Sequence, residues 1–212
     1  LAPREFVATE LRFGDPVPPT RYRPDIPQWL ENALLRAVAR DKRQRFETPE
    51  EMLLALHERN MHGFFVALTA LVEGPGPVTS DGMIALTHRH LVSPPPVLAL
   101  ASRCFGMMAQ SVPARTADAF RQRMSDRLLR AGAGLERHLP NLRPGEGLQL
   151  LRHSYALIIG LWQMSAASGA ACATASGPRP PAFAWRYEDD LERALRALWS
   201  GAIGAALAHR ES

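Results

Sequence analysis

The sequence predicts an all-α fold. Apolar residues recur at helical spacing in successive stretches, and Pro, Gly and Ser/Thr punctuation separates those stretches. No run alternates β-branched residues as a half-buried strand requires. With 212 residues, 46% hydrophobic and 22% charged, the chain has the apolar content of an ordinary folded domain and enough length to bury a real core.

The first element is an extended arm. Residues 1–27 are Pro-rich, and Asp15-Pro16-Val17-Pro18-Pro19 removes backbone donors and disfavours helix before each proline. Pro27 can open a helix that carries Trp29, Leu30, Leu34, Ala37 and Val38 as a stripe and ends near Asp41. Thr48-Pro49-Glu50-Glu51 then sets a hydroxyl cap before a first-turn proline, with Glu51 placed to complete a capping box. A long helix follows, with Leu53, Leu56, Asn60, Phe64, Ala67, Leu68 and Leu71 as its predicted stripe, until Gly74-Pro75-Gly76-Pro77 breaks it.

Thr79 or Ser80 caps a short helix through His90, and Ser93-Pro94-Pro95-Pro96 starts another through Gln110. Pro113 opens a charged helix to about His138, Pro140 and Pro144 frame a loop, and a further helix runs from about Gly145 to Ser165. Residues 166–182, rich in Ala, Gly, Ser and Pro, are expected to form a flexible loop. The last helix has Glu188-Asp189-Asp190 at its positive end and His209-Arg210 at its negative end. Its Leu191, Leu195, Leu198, Ala202 and Ala205 keep a 4-3-4-3 spacing suited to packing against other helices.

The net charge of +4 favours anionic partners only diffusely, because arginines such as Arg121, Arg123, Arg127 and Arg130 sit among acidic residues, as on a solvated helix face. Cys104 and Cys172 have no metal-type spacing and read as reduced cytosolic thiols. Residues 1–13 show no apolar signal core, and the apolar stretch from Tyr155 to Trp162 is far short of the ~20 residues a spanning helix needs. A cytoplasmic protein is expected. Because the sequence starts at Leu1 rather than Met, a fragment or processed product is expected too.

Two family resemblances meet near residues 46–61. Tyr22 to Leu30, Ala33 to Asp41 and Arg45-Phe46-Glu47-Thr48-Pro49-Glu50-Glu51-Met52 resemble the last helices of a bacterial protein Ser/Thr kinase C-lobe, over about residues 10–57. In that resemblance Arg45 matches the arginine that pairs with the glutamate of the Ala-Pro-Glu motif, a structural role whose partner this sequence lacks. The phosphate loop, catalytic loop and metal-binding aspartate are lacking as well, so no kinase catalysis is expected.

Glu50 to Met61, the order and lengths of six helices, and Leu151 to Gln163 resemble the C-terminal ligand-binding and dimerisation domain of TetR-type transcriptional regulators, over about residues 50–209. Both families start an amphipathic helix with a pattern like Phe46-Glu47-Thr48-Pro49-Glu50-Glu51, so a chimera or gene rearrangement would join them smoothly. The resemblance implies a TetR C-terminal-like bundle over residues 47–212, after an arm and one or two kinase-tail-like helices in residues 1–46. No helix-turn-helix precedes residue 48, so DNA contact is expected to be weak, non-specific and salt-sensitive.

Within the regulator reading, an apolar or aromatic effector is expected among Phe64, Leu68, Phe105, Met107, Met108, Tyr155, Ile159 and Trp162, with Gln110 and Gln163 as polar contacts. Core packing alone accounts for each of these residues singly. A homodimer is expected through the last two helices, with Leu191, Leu195, Leu198, Gly201, Ala202 and Ala205 at the interface; the same seam could instead serve the protomer's own core. His57, His62, His88 and His90 lack the three- or four-residue spacing of helical metal ligands and are expected at the surface. Neither a catalytic site nor a cofactor or metal is expected. The competing functions are an incomplete kinase fragment and a helical module that serves only assembly.

Overall fold

The computed structural model describes residues 16–174 and 180–208, and their side chains except at 95–96, 105, 167–174 and 204–208. Seven α-helices run in order: α1 (Gln28–Ala37), α2 (Pro49–Glu73), α3 (Ser80–Thr87), α4 (Pro95–Gln110), α5 (Ala114–His138), α6 (Glu146–Thr174) and α7 (Tyr187–Ala208). No strand occurs among the described residues, and the all-α architecture follows.

Helix α1 stops at Ala37, short of the expected Asp41. The Asp41 carboxylate instead accepts a hydrogen bond from Arg43 N at 2.9 Å and so begins a new 3-10 turn, Lys42–Gln44. An Asp is better suited to starting a turn than to ending one. The first helix is held to the rest mainly by Arg36, whose guanidinium lies 4.0 Å from the Phe46 ring centroid and reaches Glu51 at 3.4 Å. Its Glu31 is buried and accepts hydrogen bonds from Thr20 and Gln28, which fixes the preceding arm.

Helix α2 is the central pillar. Thr48 Oγ1 accepts from Glu51 N at 3.1 Å, and the Glu51 carboxylate accepts from Glu47 N at 2.7 Å, which closes a capping box displaced by one residue on its return bond. Its buried face is Leu54, His57, Met61, Phe64, Phe65, Leu68 and Val72. This corrects the predicted stripe: Leu53, Leu56, Asn60, Ala67 and Leu71 are only half-buried. The cause is contact on several sides, with α4 and α5 both packed along α2, so a helix apolar on most of its circumference shows no single periodic stripe.

Thr79 Oγ1 caps α3 by accepting from Gly82 N at 3.1 Å. The expected continuation to His90 is not α-helical: residues His88–Val92 widen into a π turn, closed by Ser93 N donating to His88 O at 2.9 Å. Helix α4 then starts as the proline run predicts.

Helices α5 and α6 meet at glycine. A Cβ on Gly132 would stand 2.7 Å from Leu148 N, and one on Gly147 would stand 2.2 Å from Gly132 O, so the two backbones touch. Gly145, at φ 92°, turns the chain into α6 in a conformation that L side chains rarely adopt. The Glu136 carboxylate on α5 accepts from Gly145 N at 2.9 Å and Gly147 N at 3.0 Å, so α5 supplies the cap for α6.

Helix α6 continues to Thr174, which corrects the loop expected from residue 166. Alanines at 166, 167, 170, 171 and 173 are strong helix formers and outweigh Ser168 and Gly169 among them. The remainder of that expected loop, residues 175–179, lies outside the described residues.

On α7, Leu191, Leu195 and Trp199 are each at most 2% exposed and enter the protomer's own core together with Leu68, Leu135 and Ile158. This corrects the placing of Leu191 and Leu195 in a dimer interface, because both are spent on burial against α6 and α3. Trp199 Nε1 donates to Ser154 Oγ at 3.0 Å, and Ser154 Oγ donates to Leu150 O at 2.8 Å, a fully buried chain of two hydrogen bonds.

Candidate functional site

The fold leaves a cavity of about 700 Å³ bounded by α2, the α3 and π-turn segment, α4, α5 and α6. Helix α2 contributes His57, Met61, Phe64 and Phe65; α3 and the π turn add Met83, Thr87 and Leu91. Cys104 and Met108 face it from α4, and Phe120, Arg121, Met124, Ser125 and Leu128 from α5. The α6 wall includes Leu151, Arg152, Ser154, Tyr155, Ile158, Ile159 and Gln163. The lining is mostly aliphatic, aromatic and thioether, with few polar groups, as small-molecule sites require.

Of the residues expected at such a site, Phe64, Met108, Tyr155, Ile159 and Gln163 do line the cavity. Leu68 does not: at 0% exposure it is sealed in the core one turn beyond. Met107 packs beside a second cluster formed by Leu54, Cys104, Val112 and Phe120, Gln110 is exposed near the end of α4, and Trp162 packs against the main core. The side chain of Phe105 lies outside the described residues.

His57 is the residue that sequence reasoning misplaced. It is 2% exposed and lines the cavity, with its ring centroid 6.3 Å from that of Phe120. Its Nδ1 has no hydrogen-bond partner among the described residues. Burial pushes its pKa down from 6.5 to about 4, against the weaker opposite pull of Glu58, so the ring is neutral near pH 7. The signal available in the sequence was its position three residues after Leu54 and four before Met61, on the face that α2 buries.

Two further titratable groups in the lining are neutral too. Burial pushes the Cys104 thiol up to about 11 and raises Tyr155 as well, so neither ionises near neutrality. Arg121 and Arg152 are exposed, and Arg121 pairs with Asp118 at 2.7 Å. Nearby, Arg123 and Arg127 converge on Glu58, and Arg130 reaches Glu73, clamping α5 to α2 outside the cavity. Arg121, Arg123 and Arg130 therefore form the solvated, ion-paired face read from the sequence, while Arg127 is half-buried.

His57 also links stability to pH. Its folded-state pKa lies below its ordinary value, so its contribution is complete above about pH 6.5 and is lost as pH falls toward 4, where the unfolded chain takes a proton that the folded chain refuses. Glu58 faces it with charge, while Cys104 and Tyr155 are uncharged across this range. Between pH 7 and 5 the loss is about 2 kcal/mol. Urea unfolding at both pH values should show it in the wild type, and His57→Gln should remove that part of the slope.

The geometry thus defines a helical domain built around a largely apolar cavity. A scan against protein-family models matches residues 58–206 to the tetracyclin repressor-like, C-terminal domain, and the chain belongs to that family. Searches of curated proteins and of solved structures gave no match. The kinase-like segment lies before the matched span, and no comparison supports that resemblance. In the structure Arg45 Nε donates to Ala39 O and closes the turn after α1, a role complete within this chain. No helix is long and apolar enough to cross a membrane, and no three His, Cys, Asp or Glu side chains gather as a metal site, among the described residues.

Proposed function

We propose that the chain is the effector-binding and dimerisation part of a TetR-like transcriptional regulator, which takes an apolar or aromatic small molecule into the cavity among α2 to α6. The observation that carries this reading is the cavity itself, whose volume of about 700 Å³ lies within the range of small-molecule sites. A ligand present at ~100 times its Kd stabilises the folded state by ~2.7 kcal/mol, which raises Tm by roughly 5–10 °C for a domain of this size. Thermal unfolding in the presence of hydrophobic compounds should show such shifts. Ile159→Trp, which fills the cavity, should abolish them, while Trp162→Ala, off the cavity, should not. Shifts that persist unchanged in a stable Ile159→Trp protein would place binding elsewhere.

Dimerisation belongs to the same reading. With Leu191 and Leu195 buried, the α7 surface left for a partner is Leu198, Gly201 and Ala202, all partly or fully exposed, and Met164 on α6 is 47% exposed. Exposed small residues permit close helix approach across a two-fold axis. The side chain of Ala205 lies outside the described residues. Gly201→Glu, for which a Cβ meets nothing within 4 Å in the protomer, should turn a dimer into a monomer by light scattering while circular dichroism stays helical. A wild type that remains monomeric at high micromolar concentration refutes the dimer.

Residues 16–48 carry one α-helix and two 3-10 turns, which is not a helix-turn-helix. Specific DNA contact is accordingly assigned to none of the described residues, and the two domains expected on either side of residue 47 are retained as part of the proposal.

A further inference from the structure

We propose that the cavity takes largely apolar molecules bearing one hydroxyl group, and that His57 is the residue that recognises this group. The inference rests on the reading of the cavity as a ligand site and specifies its chemistry. A histidine in a core normally donates or accepts a hydrogen bond, because a buried polar atom without one costs ~1–3 kcal/mol. Here a histidine at 2% exposure has an Nδ1 with no protein partner, and it lines the cavity among Met61, Phe64, Met108 and Phe120. Ser154, also in the lining, is already engaged on both sides by Trp199 and Leu150, so its hydroxyl is committed to the fold.

A neutral imidazole offers one donor and one acceptor nitrogen, and a hydroxyl can serve either. A hydrocarbon of the same shape fits the walls but leaves the imidazole unpaired.

The test uses matched pairs that differ by one hydroxyl: naphthalene and 1-naphthol, biphenyl and 4-phenylphenol, decane and 1-decanol. Affinities for the full chain are measured by calorimetry or by displacement of a fluorescent probe. The wild type should bind the hydroxylated member of each pair about 10-fold more tightly, a difference suited to one buried hydrogen bond. His57→Phe should erase the preference while still binding the hydrocarbons, and His57→Gln, which keeps a donor and an acceptor, should retain part of it. In protein with ¹⁵N-labelled imidazole, 1-naphthol but not naphthalene should move the His57 ring nitrogen resonances. Equal affinity within the pairs, or a preference that survives in His57→Phe, overturns this inference and leaves the cavity reading standing. If His57→Phe does not fold, the wild-type ratios, His57→Gln and the nitrogen resonances decide. Failure of every compound to bind overturns both readings.

Discussion

Gly147→Ala is expected to destabilise the protein by about 3 kcal/mol, a drop in Tm of roughly 6–12 °C. The added methyl would stand 2.2 Å from Gly132 O and 2.9 Å from Gly132 C, both backbone atoms of α5, and 3.0 Å from the Glu136 carboxylate that caps α6. No side-chain rotation can clear a main-chain carbonyl, so the helices must separate. That separation loosens the core around Leu135 and Leu151 and strains the capping bonds. Gly160→Ala on the same helix provides the contrast in sign. Its Cβ meets nothing within 4 Å, and the exchange should be neutral or stabilise by up to ~1 kcal/mol through helix propensity. Equilibrium unfolding of both variants checks the pair; similar midpoints would show that α5 and α6 approach less closely than the structure has them.

Trp199→Ala is expected to cost about 3–5 kcal/mol, the range for removing a large buried aromatic side chain. Trp199 is 1% exposed in the core that α7 shares with α6 and α3. Trp199→Phe separates the two contributions. It keeps most of the buried ring and removes the N–H donated to Ser154, which should cost about 1–2 kcal/mol. In a double-mutant cycle, Ser154→Ala should lose less in the Trp199→Phe background than in the wild type. Additive losses would mean that the hydrogen bond contributes nothing of its own.

Helix starts were the most legible part of the sequence. Thr48, Thr79 and the proline run at 94–96 mark local events in which one side chain or ring sets a few backbone atoms, and each mark coincides with a helix start. Burial was less legible because it depends on what arrives from elsewhere in the chain. Helix α2 illustrates this: with α4 and α5 on different sides, its buried face centres on Leu54, His57, Met61 and Leu68, and a polar residue occupies the middle of it. On α7 Leu191 and Leu195 of the 4-3-4-3 spacing are buried together with Trp199, which that spacing left out, and spacing cannot say whether the partner is α6 of the same chain or another subunit. The cavity was partly visible in Phe64, Met108, Tyr155, Ile159 and Gln163, since apolar and thioether side chains suit both cores and pockets. That His57 belongs with them follows only from three-dimensional packing.

The contact between Gly132 and Gly147 has a mechanical consequence. Where two backbones touch, the helices cannot approach further, and the capping of α6 by Glu136 resists their parting. A change in the α5–α6 angle must therefore swing about that point as about a fulcrum. Helix α6 is the long arm: at 1.5 Å per residue, Ile159 on the cavity wall lies about 18 Å from the fulcrum and Met164 about 25 Å. A rotation of about 5° displaces the first by roughly 1.5 Å and the second by roughly 2 Å, so a wedge between the helices is amplified along α6 toward its far half.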